Sequence, residues 1–421
     1  MAEGTLRPAN YQVVASAGPI AIAVTLAFCI LATNLDIFLS ERGFFPFSAY
    51  FIFVALAVLF VTAIAVEGTV RTSFERFEGA VRFCIVPLTI FSGWVAIHAF
   101  HSGGMPLSGD VDFTIVLPVL QFAVLLFGIA LASEATVTVT VRKMSALVVL
   151  LLSASVILET FLPTVLGASM GRKGGLALDS NTAAFLIAAS LALSVDFRRT
   201  RLLDIGVIII AVAGVVCTLS RMGILFLLIV FATYGALFAL RELRERRLDR
   251  LVLGAAVAIA ALGASVAILY VLTTLPQVQN TTIVERAEQI LFSGARNLED
   301  PYRALLFHHY LDIAARSPFA GNGAGHTLTN LEANAPFGFG PHNMYLRAWI
   351  DVGLVGLFIY VAFVFSVIAL GVGTRSPELI LVGCLLGLYG FFSHNVIDNK
   401  AVVILVAVAM GQAAVLREGK S

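Results

Sequence analysis

Residues 275–346 hold the side chains that could do chemistry. Pro341-His342-Asn343-Met344-Tyr345-Leu346 closes this polar segment just ahead of an apolar run. Arg303, the pair His308-His309 and Ser317-Pro318-Phe319-Ala320-Gly321-Asn322-Gly323-Ala324-Gly325 come before it. An imidazole with an unperturbed pKa of about 6.5 can take up a proton at neutral pH, so His342 could act as a general base. On helical spacing His342 shares a side with Tyr345, Leu346 and Trp349. That gives a plainer alternative, an interfacial histidine in an aromatic belt.

Arginine stays charged and presents a planar fork suited to anions. Arg221 stands between two uncharged runs, 205–220 and 222–240. At about 1.5 Å per residue the first run reaches about 24 Å, short of a hydrocarbon core of about 30 Å. Arg221 is therefore expected slightly below the outer surface, where a guanidinium needs an anion. A snorkelling arginine among lipid phosphates meets the same need. Arg303 follows Asp300-Pro301-Tyr302, an acidic residue and a proline at a helix start. Tyr302, Leu306, Tyr310 and Ile313 recur at helical spacing, with Arg303, Phe307 and Ala314 on another side. This predicts an amphipathic helix on the outer leaflet with Arg303 at its start, either as an anion ligand or as a solvated charge. Arg286, Arg296 and Arg316 read as solvated loop charges.

Two tempting motifs carry no such chemistry. Gly321-x-Gly323-x-Gly325 follows no strand and no GK[ST] follows it, so it reads as turns leading back to the next span rather than a nucleotide loop. The loop histidines His308, His309, His326 and His342 come without a cysteine or an HExxH, so no metal and no other cofactor is expected.

The elements that must position these residues are apolar. The chain has 421 residues, 59% hydrophobic and 13% charged, with a mean hydropathy of +0.96. Soluble domains carry about a quarter charged residues, so this is a polytopic membrane protein. It reads as one membrane domain over 1–421 carrying one long periplasmic loop at 275–346. About 12 transmembrane helices are expected from runs long enough for the bilayer. They lie near 17–35, 45–66, 83–100, 113–132, 144–162, 181–195, 203–219, 222–240, 251–274, 349–370, 379–397 and 401–416. The first run is too long for a signal-peptide core, so no cleavable signal is expected. Cys29, Cys84, Cys217 and Cys384 all lie in apolar runs and read as small core residues. The formal charge of +1 gives no pointer to a nucleic acid.

With both termini in the cytoplasm, most of the 27 lysines and arginines fall on the inside. The run Arg241-Glu242-Leu243-Arg244-Glu245-Arg246-Arg247 is then a topology anchor. The long loop faces outward, which in a Gram-negative cell means from the inner membrane into the periplasm. Ionisable residues near the spans crowd the outer ends: His98, Glu159, His394 and Asp398 in or beside spans, Asp110, Asp112, Arg172, Lys173 and Asp179 in connectors. An ion-driven transporter keeps such groups near the midplane. This pattern describes a site at the outer surface.

Four features together resemble the O-antigen ligase and O-antigen polymerase superfamily of membrane glycosyltransferases. They are Arg172-x-x-Gly175 followed by Asn181; Leu219-Ser220-Arg221; Arg303 through Pro318-Phe319-x-Gly321-x-Gly323; and His342-Asn343-x-x-Leu346 with Gly353 and Gly356. The resemblance implies an all-α, GT-C-like fold and transfer of a glycan from undecaprenyl diphosphate without metal or nucleotide. It implies that Arg221 and Arg303 bind the donor diphosphate, that His342 serves the acceptor hydroxyl, and that Arg172, Asn181 and Asn343 are further substrate-binding candidates. The acceptor would be lipid A core for a ligase or a growing glycan for a polymerase. Asp351 departs from the pattern, since many relatives have Glu two residues before the glycine; the charge is kept. The first five spans match no motif. A polysaccharide or lipid-oligosaccharide flippase is the alternative from another class, and a non-catalytic envelope scaffold the third.

Overall fold

The computed structural model describes residues 18–44, 48–102, 111–138, 141–162, 173–195, 202–244, 301–329 and 340–418. The span expected near 251–274, residues 275–300 and 330–339 of the polar segment, and Arg172 lie outside the described residues. Among the described residues the chain is all-helical, with no strand.

The helices are α1 (Pro19–Ala32), α2 (Leu35–Glu41), α3 (Ala49–Val66), α4 (Val70–Phe83), α5 (Ile85–Ser102), α6 (Val111–Thr138), α7 (Val141–Phe161), α8 (Ser180–Ser194), α9 (Leu202–Cys217), α10 (Arg221–Arg244), α11 (Pro301–Arg316), α12 (His326–Thr329), α13 (Met344–Thr374), α14 (Pro377–Gly390) and α15 (Lys400–Glu418). Every expected span except 251–274 falls on one of them. Five are long and apolar enough to cross a membrane, or seven if each bent pair counts as one span. The bent pairs are α1–α2 at 60° and α4–α5 at 78°. Four further apolar helices are shorter. The expectation of about 12 spans thus exceeds what length and composition establish, because a crossing needs about 20 helical residues. The run 379–397 shows why: its helix stops at Gly390, and 391–399 is irregular.

α8 is the centre. All its residues are buried, and α7, α9, α10, α14 and α15 pack around it. A helix apolar on every side is a buried one. Asp179 starts it, accepting from Thr182 N and Thr182 Oγ1, each at 2.8 Å. Small residues let neighbours approach closely. In the α6–α15 seam a Cβ on Gly128 would lie 2.5 Å from Ala407 Cβ, and one on Gly411 2.6 Å from Ala132 Cβ. Cys29, Cys84 and Cys217 are buried as expected, but Cys384 on α14 is exposed.

The polar groups divide between the two ends of the bundle. At one end Arg76 pairs with the buried Glu134 at 2.8 Å, and Arg142 with Asp204 at 2.7 Å and with the Ser194 carbonyl. At the other end Glu159 accepts from Gly174 N and Gly175 N at 3.0 and 2.7 Å, holding the connector into α8. Also there, Lys400 at the start of α15 pairs with Asp36 of α2, both fully buried, with the ammonium 4.7 Å from the Tyr50 ring. Breaking one side of a buried pair strands the other charge, at about 3–5 kcal/mol. Asp36→Asn should therefore lower the thermal stability of detergent-solubilised protein markedly, and Asp36→Asn with Lys400→Met should recover most of it. Thermal unfolding followed by size-exclusion fluorescence measures both; equal stability of the single and double variants would contradict a coupled pair.

Candidate active site

The site is built around the start of α13. Asn343 caps that helix, its Oδ1 accepting from Leu346 N at 3.0 Å. A cap residue is extended, and the residue before it is free of the helix. His342 accordingly has φ +45°, in the left-handed region. The helical side expected to join His342 with Tyr345, Leu346 and Trp349 does not exist, because His342 is not in the helix and the other three diverge. Tyr345 Oη donates to the Gly387 carbonyl at 2.8 Å, Trp349 Nε1 donates to the Pro318 carbonyl at 3.0 Å, and Leu346 is buried against α11.

His342 instead meets His394, ring centroids 5.2 Å apart and planes at 71°. His394 lies in the irregular segment between α14 and α15. Burial, with the charge of Arg347 and then His342 behind it, holds its pKa down to about 3, so the ring is neutral. Its Nδ1 is buried without a hydrogen-bond partner. Gly340 closes over the same ring, where a Cβ would stand 3.0 Å from Nε2.

Arg347 ties these parts together. It is buried, forms an ion pair with Asp398, lies 3.4 Å from Asp351 through Nε, and donates from Nη1 to the His394 carbonyl at 2.8 Å. Asp351 also accepts from Thr327 N at 3.0 Å and Thr327 Oγ1 at 3.2 Å. Gln121 Nε2 on α6 donates to the Asp398 carbonyl at 2.5 Å. Sequence reading passed over Arg347 and Thr327. The spacing of Arg347 and Asp351, four apart at the head of an apolar helix, was the available signal.

The glycines of 321–325 are not mere turns. α13 breaks at Gly353, with φ +74° and ψ −168°, and segment 318–323 docks into the break. Asn322 N donates to the Ile350 carbonyl at 2.7 Å, Gly323 N to the Asp351 carbonyl at 3.1 Å, and Leu354 N to the Pro318 carbonyl at 2.9 Å. The backbones touch. A Cβ on Gly353 would fall 2.1 Å from the Phe319 carbonyl oxygen, and one on Gly321 2.5 Å from Gly353 N. α11 packs beside this, with Leu306, Tyr310, Ile313 and Ala314 buried against Leu346 and Ile350. The expected helix from Pro301 is therefore present. Ala314 faces inward with the apolar set, while Phe307 is exposed. Arg303 is the third residue of α11; its side chain lies outside the described residues.

Arg221 opens α10 and is half-buried. Just ahead of it Ser220 Oγ donates to Asn181 Oδ1 at 2.8 Å and accepts from Gly223 N at 3.2 Å. Asn181 sits in the first turn of α8, so these two candidates are neighbours. The helices that carry them pack on the end of α14: Thr182 Oγ1 of α8 and Tyr389 Oη are 2.6 Å apart, the Tyr389 ring stacks on Phe185 of α8, and Phe226 of α10 meets it edge-on. Tyr345 bonds Gly387 of the same helix end. The Arg221–Asn181 group and the His342–Asn343 group therefore flank one helix terminus. His98 has its Nδ1 3.0 Å from the Trp94 carbonyl and its ring against Trp94. Among the described residues no three His, Cys, Asp or Glu side chains could hold a metal ion.

The docked break yields a test. A side chain at Gly353 is excluded both by its φ, a conformation that costs about 1–3 kcal/mol for other residues, and by the Phe319 carbonyl. Gly353→Ala should release segment 317–327, read as protease cleavage there at a rate at least several-fold above the parent. An unchanged cleavage rate would show that the segment is held by other contacts.

Residues 206–361 match the family model Wzy_C, O-Antigen ligase. The match contains Arg221, Arg303, Gly321, His342, Asn343 and Gly353, and leaves out Arg172, Asn181 and His394. No curated protein matches the chain. The apolar helices and this match make it a multi-pass membrane protein. Over residues 206–361 the chain is thus similar to the O-antigen ligase family, and three of the four features that carry the resemblance fall inside that match: Leu219-Ser220-Arg221, Arg303 through Gly323, and His342-Asn343 with Gly353 and Gly356.

Proposed function

We propose that the protein transfers a glycan en bloc from undecaprenyl diphosphate to an acceptor sugar at the periplasmic face of the inner membrane, as a ligase or a polymerase. The acceptor is lipid A core or a growing glycan. The reading treats 1–421 as one membrane domain, 275–346 as its periplasmic loop and both termini as cytoplasmic. The observation that carries it is the position of His342: inside the family match, outside the helix that follows it, and at the bundle end where Arg221 opens α10.

In this reaction the acceptor hydroxyl gives its proton to His342 as its oxygen bonds to the anomeric carbon. The bond from that carbon to the diphosphate breaks, and undecaprenyl diphosphate leaves with the electron pair. Arg221 and Arg303 meet the charge that develops on it. Charge-assisted bonds of this kind contribute about 1.5–3 kcal/mol each. The energy for transfer is already stored in the diphosphate, so neither metal nor nucleotide is required. Arg172 and Asn181 are further candidates for the donor. Asn343 Oδ1 already serves the helix, so a substrate role for that residue falls to its amide nitrogen.

Two measurements test the reading, both with membranes of a deletion strain supplying donor and acceptor to added full-length protein. Arg221→Lys keeps the charge and loses the fork. Transfer should fall about 10- to 100-fold at equal protein level; unchanged transfer would remove Arg221 from the diphosphate site. His342→Gln should lower turnover by about 10²–10⁴-fold while donor binding persists. The parent rate should rise with pH as a base loses its proton, and EDTA should leave it unchanged. Near-normal turnover of His342→Gln would falsify the base assignment.

A further inference from the structure

His394 is outside the family match and has no role in the reaction as written above. It is nonetheless the side chain in ring contact with His342, at 5.2 Å and 71°. Its backbone is fixed by Arg347 Nη1 at its carbonyl, and Gly340 leaves no room for a side chain over its ring. The buried Nδ1 has no donor. A buried acceptor without a partner is costly, and such atoms concentrate at working sites.

We propose that His394 is a positioning residue whose unprotonated Nδ1 accepts a hydrogen bond from His342 once His342 has taken the acceptor's proton. The inference rests on the base assignment for His342. In the resting arrangement the two rings meet edge to face; in the proposed state the His342 ring turns so that an imidazolium N–H reaches Nδ1. The proton stays on His342; His394 keeps its own proton on Nε2 and gives a lone pair only. His394 has to be neutral for this, and its burial beside Arg347 ensures that. The charged groups around the pair are Arg347 on α13, itself matched by Asp351 and Asp398, and Lys400 on α15, matched by Asp36. Such a bond stabilises the protonated form of His342, so its loss should both slow transfer and shift the pH midpoint of the rate downward.

The experiment compares His394→Phe, which keeps a ring and loses the lone pair, with His394→Asn, whose Oδ1 stands close to the position of Nδ1. Both are assayed from about pH 5 to 9 with deletion-strain membranes as donor and acceptor source, beside His342→Gln. The expected result is a plateau rate about tenfold lower for His394→Phe, with its midpoint about one pH unit lower, and most of both restored in His394→Asn. Should His394→Phe not be recovered from the membrane, His394→Leu serves the same comparison. A lower rate with an unmoved midpoint means packing alone and overturns the proposal. So does an unchanged His394→Phe, or a His394→Asn no better than His394→Phe. If His342→Gln keeps near-normal turnover, the base assignment itself fails, whatever the His394 variants do.

Discussion

The guanidinium of Arg347 is buried between Asp351, Asp398 and the His394 carbonyl. In a low-dielectric surrounding such a charge persists only if its partners stay put, since removing one costs far more than the pair contributes. That requirement couples four pieces of chain. Asp351 brings in Thr327 and the segment after α11; Asp398 brings in 391–399 and, through its carbonyl, Gln121 of α6. Two residues past Asp398, Lys400 reaches Asp36 of α2. The first helices, which carry no recognisable motif, thereby join the same polar layer as His342.

This layer and the apolar bundle divide the work. The spans supply close packing through small residues and the all-buried α8, and among the described residues their buried ion pairs lie toward the two ends. A site that does chemistry needs donors and acceptors already oriented, because reorganising them during reaction raises the barrier. The docking of 318–323 into the break at Gly353 meets that need: the freed backbone groups of α13 are satisfied by the loop instead of by the helix. The loop and the helix it interrupts therefore behave as one element.

His342 and His394 show how the layer tunes a pair of like side chains. Burial and Arg347 keep His394 neutral. His342 is half-buried, on a strained turn between Pro341 and the Asn343 cap. The two imidazoles touch, yet the surroundings of one suppress its titration. Pairs of groups driven apart in this manner are common at sites that move protons.

Much of this protein is legible without coordinates. Apolar run lengths point to an all-helical, multi-pass chain, and Asp300-Pro301 marks the start of α11. Hydropathy carries no phase for helices that are apolar all round, so it could not say which residues face α8, nor that several apolar runs form helices too short to span alone. Local periodicity failed at His342 and at Gly353 for one reason: both have φ values outside the helix, and a 3.6-residue count assumes the helix continues. The pairing of His342 with His394, and of Arg347 with Asp398, depends on how α13, α14 and α15 pack. Partners far apart in sequence leave no spacing to read, and only the tertiary structure decides them.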